Sequence, residues 1–197
     1  EALTVAKAHD GCTLTVYSDV DVKGTGVTID SGNFMLDLEY HGKLVNYSNT
    51  PFILKVTGGN IEISGEGDIS TSSSNTTALI VEGGNVTISG NVKLMSYDGT
   101  TVDYIGGTLK LKGGNYLKPE ENGTMFKLPE GKACADLLVP GYLFANESGD
   151  YISSDQVESK TTVKVIACTE HIWSEDGKCT KCQYACPHDS GKNDREA

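Results

Sequence analysis

Short runs of alternating apolar and polar residues recur along the first two thirds of the chain. Each run is an apolar-polar-apolar triplet that is followed within three residues by Gly. The four copies of this pattern are GVTIDSGN (26–33), NIEISGE (60–66), NVTISGN (85–91) and TLKLKGGN (108–115). A period of two residues is typical of β-strands, and self-similarity along a chain is typical of a repeat fold.

The spacing of the copies indicates a solenoid. The triplets begin at Val27, Ile61, Val86 and Leu109, so successive copies are offset by 34, 25 and 23 residues. In the last three copies a Gly-Gly pair leads into the triplet, and a longer apolar strand precedes that pair. These strands are FILKV (52–56), ALIVE (78–82) and VDYI (102–105), and a third strand such as VKLM (92–95) follows the triplet.

Three short strands per period, separated by Gly and Asn at sharp corners, predict a coil that stacks on copies of itself. Equivalent strands then lie side by side in parallel, and alternate apolar side chains fill a continuous interior. The corner residues Asn60 and Asn85 are expected to stack into a ladder of amide hydrogen bonds. The predicted fold class is therefore all-β, a right-handed parallel β-helix with three short strands per coil.

The first residues predict a cap for this β-helix. An end coil exposes apolar side chains and unpaired strand edges, which must be covered to prevent aggregation. Residues 1–11 are assigned to a helical cap, and the β-helix to residues 12–128, in which HGKLVNYSNT (41–50) predicts a strand and a protruding lateral loop. The side chains expected on one face of the helix are Ala2, Val5, Ala6 and Ala8.

The repeat stops after Leu128, where a second cap is expected. Residues 129–165 are assigned to a C-terminal cap and an exit strand. Within them, ACADLLVPGYLFANESGDYI (133–152) predicts one helical turn, a Pro-Gly turn and a pair of strands. The alternation in VESKTTVKVIA (157–167) predicts the exit strand, and residues 166–197 form a Cys/His-rich module with a polar tail.

The module contains the donor residues of a metal site in CTEHIWSEDGKCTKCQYACPHD, residues 168–189. Cys168, His171, Cys179 and Cys182 form two closely spaced pairs, an arrangement that tetrahedral Zn²⁺ uses in structural sites. A segment this short cannot bury a sufficient core, so metal or disulfide cross-links are needed to stabilise it. Structural zinc is the prediction, and disulfides or free thiols are the alternatives.

The remaining candidate ligands leave the composition of the site open. Cys186 and His188 can replace one of the four ligands or begin another site. Cys12 and Cys134 lie in the first coil and in the C-terminal cap, too far apart to pair, and are expected to be buried thiols.

The charge of the chain argues against two classes of partner. With 27 acidic and 16 basic side chains the formal net charge is −11, which repels phosphate backbones and anionic lipids. No apolar run approaches the roughly 20 residues of a membrane span, and EALTVAKAHDG lacks the apolar core of a signal peptide. We therefore expect neither nucleic-acid binding nor membrane insertion.

Catalysis is also disfavoured, although many parallel β-helices are polysaccharide lyases or hydrolases. Lyases use a basic side chain beside Ca²⁺, and Arg195 in the polar tail is the single arginine of this chain. Hydrolases need clustered carboxylates, but Asp30, Asp68, Asp98 and Asp103 fall at different points of the repeat. We predict that the protein is not an enzyme.

Exposed aromatic residues on a strand face could instead engage a partner protein. The candidates for such contacts are Tyr40, Tyr47, Tyr97, Tyr104 and Tyr116. Ordinary packing at strand edges is the competing interpretation of these tyrosines.

Three segments resemble the large cell-surface proteins of gut Firmicutes. The opening EALTVAKAHDGCTLTVYSDVDVKGTGVTIDSGNFMLDLEYHGKLV is similar to the start of their β-helices, although Glu39-Tyr40-His41-Gly42 replaces a plain Asn-Gly. ADLLVPGYLF (135–144) resembles the segment that closes those β-helices, and CTEHIWSEDGKCTKCQYACPH resembles the Cys/His module that follows.

The resemblance implies an extracellular protein, either on the bacterial cell surface or secreted. Members with assigned roles act as adhesins or bind host proteins, including immunoglobulins. The expected function is therefore a non-enzymatic binding domain that engages a host protein or glycoprotein such as mucin or immunoglobulin. The alternatives are a rigid structural spacer and a polysaccharide lyase or hydrolase.

Overall fold

The computed structural model describes residues 1–47 and 50–185 and shows an all-β protein. A β-solenoid of about five turns carries one N-terminal helix and a C-terminal Cys/His cluster, so the predicted parallel β-helix is confirmed. In chain order the solenoid strands are β1 Cys12–Val16, β2 Asp19–Asp21, β3 Val27–Ile29, β4 Asn33–Leu38, β5 Lys43–Asn46, β6 Phe52–Val56, β7 Asn60–Gly65, β8 Asp68–Thr71, β9 Thr77–Val81, β10 Asn85–Ser96, β11 Thr100–Tyr104, β12 Thr108–Leu117 and β13 Thr124–Lys127.

Each coil contributes to two parallel sheets. The second sheet has the order β13-β11-β9-β6-β3, and the first sheet contains the other solenoid strands. The first three coils have three separate strands, as predicted. In the last two coils the first two strands are fused, because β10 and β12 each continue through the corner and pair along their full length, with a register shift between Gly90 and Lys93.

The observed register corrects the alignment of the first repeat copy. Val27 pairs with Leu54, so GVTIDSGN begins in the second sheet rather than in the first. The strand equivalent to the other triplets is β4, in which Phe34 lies beside Ile61. Successive coils, counted from Cys12 through Phe34, are therefore offset by 22, 27, 25 and 23 residues rather than beginning with an offset of 34.

The Gly-Gly pairs let the coils approach closely at one corner. Gly59, Gly84 and Gly107 have φ of 87°, 71° and 78°, a left-handed conformation that favours glycine. A side chain at Gly84 would place its Cβ 2.6 Å from the carbonyl oxygen of Gly59 in the coil below. Backbone therefore stacks directly on backbone along this corner.

The hydrophobic core lies between the two sheets and follows their register. The inward row of the first sheet consists of Leu14, Leu36, Ile63, Ile88 and Leu111. The facing row of the second sheet consists of Val27, Leu54, Leu79, Val102 and Phe126. Nearly all of these side chains are buried, and burying one aliphatic side chain contributes about 1.5–3 kcal/mol.

Polar side chains also stack from coil to coil. The Nδ2 of Asn85 donates a 2.6 Å hydrogen bond to the Oδ1 of Asn60, which confirms the predicted amide ladder. Asn33 lies opposite Asn60 in the next coil, so it occupies the same corner.

The helix α1 (Ala2–Ala8) covers the N-terminal end of the solenoid, as predicted. Its inward face differs from the expected one: Ala6 is buried and Leu3 packs on the core, whereas Ala2, Val5 and Ala8 are exposed. A short helix lying across the end of a coil turns only a narrow stripe toward the core, and residues three apart form it.

The C-terminal cap closes the other end. A 3-10 turn at Cys134–Leu137 precedes β14 (Tyr142–Ala145) and β15 (Tyr151–Ile152), and a second turn at Val157–Ser159 precedes β16 (Thr162–Ala167). β16 pairs antiparallel with both β12 and β14, so the cap extends the first sheet beyond the last coil. The predicted turn and strand pair are present, whereas the exit strand predicted over 157–167 begins only at Thr162, because Val157–Ser159 form a turn.

Two thiols lie at opposite ends of the solenoid and are free. Cys12 is half-buried, and its Sγ donates to the carbonyl oxygen of Ala6 over 3.6 Å. Cys134 is buried in the cap, and burial raises the pKa of its thiol to about 11.

Candidate metal centre and exposed tyrosines

Four predicted metal ligands come together just beyond β16. The donor atoms of Cys168, His171, Cys179 and Cys182 all lie within 4.8 Å of one another. Cys168 directly follows β16, and the other three residues lie in the following segment. These four residues could hold a metal ion. Cys186 and His188, the other two predicted ligands, lie outside the described residues.

The spacing of the donor atoms matches a small tetrahedral site. With metal–sulfur bonds of about 2.3 Å, two sulfurs of a tetrahedral zinc site lie roughly 3.8 Å apart. The Sγ of Cys182 lies 3.4 Å from the Nδ1 of His171, so Nδ1 is the ring nitrogen that faces the sulfurs. A metal ion could therefore be bound with only small shifts of the side chains.

The backbone around the second ligand pair forms a tight knuckle. The N–H of Gln183 donates to the carbonyl oxygen of Cys179 over 2.9 Å, and Gln183 has a φ of 57°. The N–H of Cys179 in turn donates to the carbonyl oxygen of Tyr184, also over 2.9 Å. These bonds turn both cysteines of the C-x2-C pair toward the same point.

The His171 ring is held by aromatic neighbours. It stacks on Trp173 at 5.0 Å between ring centroids and on Tyr184 at 5.5 Å, with interplanar angles of 23° and 26°. Both aromatic residues were missed as parts of the site. Their positions two residues after His171 and Cys182 were the available signal, since residues next to a ligand commonly orient it.

The protein environment shifts the pKa values of two of the clustered thiols, Cys168 and Cys179, in opposite directions. Burial raises the pKa of Cys168 to about 12, and the adjacent Cys182 and Cys179 sulfurs add to this effect. Burial also acts to raise the pKa of Cys179, but hydrogen bonds from the backbone N–H of Cys182 and from His171 outweigh it and lower that pKa to about 6. A bound cation would favour the thiolate form of all three cysteines.

The cluster is anchored to the C-terminal cap. The three sulfurs pack with Leu143 and Ala145 of β14, and Ile166 of β16 packs against them. The alternate residues Phe144 and Val165 point to the opposite side of the same sheet and belong to the main core. The N–H of Cys168 also donates to the carbonyl oxygen of Gly141 over 2.8 Å. The sheet formed by β14 and β16 therefore lies between the main core and the cysteine cluster and packs against both.

The predicted partner-binding tyrosines divide into two groups. Tyr40, Tyr47 and Tyr97 are exposed by 68%, 71% and 43%. Tyr104 and Tyr116 are buried, so the prediction that they contact a partner is wrong. The hydroxyl of Tyr104 donates to the carbonyl oxygen of Gly107, and that of Tyr116 to Gly113, which satisfies both groups inside the fold.

A further exposed tyrosine extends the first group. Tyr17, exposed by 72%, follows β1 directly, and Tyr40 follows β4, which pairs with β1. Tyr47 follows β5, the strand that pairs with β2. We call these three residues, Tyr17, Tyr40 and Tyr47, the tyrosine surface. They flank the pair β2 and β5 on the first two coils.

The carboxylates considered for hydrolysis do not form a pair. Asp68 forms an ion pair with Lys93 at 3.5 Å on the first sheet, and Asp103 one with Lys127 at 2.9 Å on the second. Asp30 binds Lys7 at 2.7 Å near the N-terminal end. Asp98 accepts a hydrogen bond from the backbone N–H of Asn75 over 3.0 Å.

Comparisons with known proteins add no relative: no family model, no curated protein and no solved structure matches the chain. Among the described residues, no helix combines the length and apolar character needed to cross a membrane.

Proposed function

We propose that this chain is a non-enzymatic binding domain that presents the tyrosine surface to a partner outside a bacterial cell. The partner class is a host protein or glycoprotein, such as mucin or immunoglobulin. The observation that carries the proposal is the exposure of Tyr17, Tyr40 and Tyr47, between 68% and 72%, on adjacent coils. The resemblance to surface proteins of gut Firmicutes supports the extracellular setting.

Tyrosine suits this role for physical reasons. A tyrosine side chain offers a large apolar face and a polar tip, and it loses little conformational entropy when it becomes buried in an interface. Strand ends on a stacked backbone fix the backbone positions of such residues, so only the side chains must be ordered on binding.

We also propose that the Cys3His cluster binds zinc and that the zinc is structural. Three thiolates and one imidazole are ligands that Zn²⁺ prefers, and a closed set of four protein ligands leaves no open position for a substrate. The role of the metal would then be to hold the module against the cap rather than to activate water.

The binding proposal is tested by immobilising the chain and measuring its binding to purified mucin and immunoglobulin. The double variant Tyr40→Ala/Tyr47→Ala should weaken binding by about tenfold or more, because each buried tyrosine anchor contributes on the order of 1–2 kcal/mol. Tyr151→Ala is the matched control, since Tyr151 is also exposed but lies in the C-terminal cap.

Three results would contradict the binding proposal. One is equal binding by the double variant and the control. Another is an absence of binding to either class of protein, which would favour a spacer. The third is release of products with unsaturated uronate absorbance from a polysaccharide panel, which would indicate a lyase. Elemental analysis of the same sample tests the zinc proposal, which predicts at least one zinc per chain.

A further inference from the structure

Other parts of the chain contact the outer strand edges at the two ends of the solenoid, with one exception among the described residues. At the C-terminal end β12 pairs with β16. The edge of β13 is closed by Glu158, whose carboxylate accepts the backbone N–H groups of Met125 over 3.0 Å and of Phe126 over 2.5 Å. At the N-terminal end α1 packs on β1, and Lys7 Nζ donates to the carbonyl oxygen of Thr28 in β3 over 3.4 Å.

The exception is β2, whose outer edge has no hydrogen-bond partner among the described residues. Lys43 N–H donates to the carbonyl oxygen of Ser18, and Val22 N–H donates to that of Val45. Alternate residues of a strand point their backbone groups to opposite sides, so residues 18, 20 and 22 serve β5. The N–H and C=O groups of Asp19 and Asp21 therefore face the open edge.

The side chains along this edge specify the charge of a complementary strand. Asp19, Lys43, Asp68 and Lys93 lie in register on successive coils, so negative and positive side chains alternate along the solenoid axis. Asp19 lies 4.0 Å from Lys43, and Asp68 lies 3.5 Å from Lys93. The alternation ends on Asp19, and the next position outward calls for a Lys or Arg.

The apolar character of the edge specifies the neighbouring residue. Val20 lies beside Leu44 in β5 but is 43% exposed, because nothing covers it on its outer side. A strand that paired with β2 would place an apolar residue beside Val20, between the residues opposite Asp19 and Asp21.

We propose that β2 is a docking strand for an extended peptide segment with a basic residue opposite Asp19 and an apolar residue beside Val20. The segment would add a strand to the first sheet through the free backbone groups of Asp19 and Asp21. Because the tyrosine surface flanks β2, this inference specifies the partner of the proposed binding function and rests on it.

The test uses a synthetic peptide with the sequence of residues 42–47, GKLVNY, which already pairs with the inner edge of β2 in the fold. The peptide is titrated to millimolar concentration into the isotope-labelled chain, and backbone amide shifts are recorded by NMR. The amides of Asp19 and Asp21 should shift, and a peptide with Glu in place of its Lys should bind about fivefold or more weakly, because like charges directly opposite each other repel.

Two variants of the protein sharpen the test. Asp19→Lys should reverse the preference, so that the Glu peptide binds more tightly than the Lys peptide. Asp21→Pro removes an outward N–H while sparing the bond from Val22 to Val45, and should abolish binding. The ion pair of Asp19 with Lys43 is long and exposed, so its replacement by a solvent-screened repulsion between two lysines should leave the fold intact.

Three outcomes would overturn the proposal. They are no shift of the two amides at millimolar peptide, equal binding of the two peptides, and shifts that depend on protein concentration without peptide, which would assign the edge to a second copy of the chain. None of these measurements involves mucin or immunoglobulin. Failure of the host-protein assay with retained peptide binding would therefore count against the proposed function alone.

Discussion

The solenoid and the Cys/His module differ in what lies buried inside them. Each coil after the first contributes several fully buried aliphatic side chains, such as Ile63 and Leu79, that stack on their counterparts in the neighbouring coils. In residues 168–185, by contrast, the buried side chains are Cys168, Cys179 and Cys182.

This difference indicates two sources of stability within one chain. The solenoid gains stability with each coil, because every added repeat buries apolar surface against its neighbour. The described part of the module has no comparable apolar interior of its own, so we expect most of its stability to come from the proposed metal site and from contact with the cap.

The largest predicted effect breaks the module and leaves the solenoid intact. Cys179→Ser/Cys182→Ser should reduce bound zinc below about a tenth of an equivalent, because half of the donor set is lost. Structural zinc contributes on the order of 10 kcal/mol in zinc-finger peptides, so the module should unfold. Trypsin should then cleave after Lys178 and Lys181, while the β-sheet circular dichroism of the solenoid persists.

Cys12→Ser is the control for this experiment, since Cys12 is a half-buried free thiol far along the chain from the cluster. It should keep its zinc and its protease resistance. A double variant that resists trypsin as well as the control does would show that the module needs no metal.

The second prediction concerns the sheet shared by the two regions. Phe144 contacts the solenoid core, and the centroid of its ring lies 6.0 Å from that of Phe126. The variant Phe144→Ala should therefore reduce the free energy of unfolding of the solenoid by about 3–5 kcal/mol. Leu143→Ala, on the opposite face, should instead accelerate zinc release to a chelator. Urea denaturation and the chelator rate measure the two effects, and an equal response of both variants in both assays would argue against two separate cores.

Much of this architecture could be predicted from the sequence because local residue patterns determine it. The repeat, both caps and the four clustered ligands are all marked by period, turn residues or ligand spacing. The first repeat copy was misplaced because GVTI carries the apolar-polar-apolar triplet, whereas in the true equivalent, NFML, the apolar Met35 takes the middle position. Only pairing with the next coil decides which sheet such a strand joins, and no local pattern contains that information.

The two buried tyrosines show the same limit. Tyr104 lies in register with Val81, and Tyr116 with Leu94, so both occupy inward positions that other coils fill with aliphatic residues. A correct register would have identified them as core residues. The inward and outward alternation of a strand does not apply to Tyr17, Tyr40 and Tyr47, which lie at corners beyond the strand ends and are exposed.

The third prediction concerns the solenoid end closed by Glu158. In Glu158→Gln an NH₂ group replaces one of the two oxygens that accept backbone N–H groups from β13. The variant also loses the attraction between the Glu158 carboxylate and the buried Lys118 ammonium group, which lie 3.8 Å apart. The free energy of unfolding should fall by about 1–3 kcal/mol, as measured by urea denaturation. Glu130→Gln, at an exposed position, is the matched control, and an identical loss in both variants would remove the capping role of Glu158.

The smallest predicted effect lies at the opposite end. A hydrogen bond from Lys7 lowers the pKa of Asp30 below its ordinary value of 3.8, with a further contribution from Ser31. The ion pair therefore stabilises the fold above pH 3.8, and this stabilisation is lost as the pH falls through the lowered pKa.

Lys7→Met should raise the pKa of Asp30 toward its ordinary value, which an NMR titration of the carboxyl carbon would detect. Lys23→Met is the control, because Lys23 pairs with Asp21 instead. An unchanged Asp30 titration in Lys7→Met would mean that α1 does not hold this edge through its lysine.

The shared sheet of β14 and β16 also has a mechanical consequence. Its two faces belong to different cores, and its strands are hydrogen-bonded to β12 of the last coil. A torque applied to the module is therefore transmitted to the solenoid through a β-sheet rather than absorbed by a flexible linker. The two regions should tumble as one rod, so the direction of the solenoid axis fixes the orientation of the module.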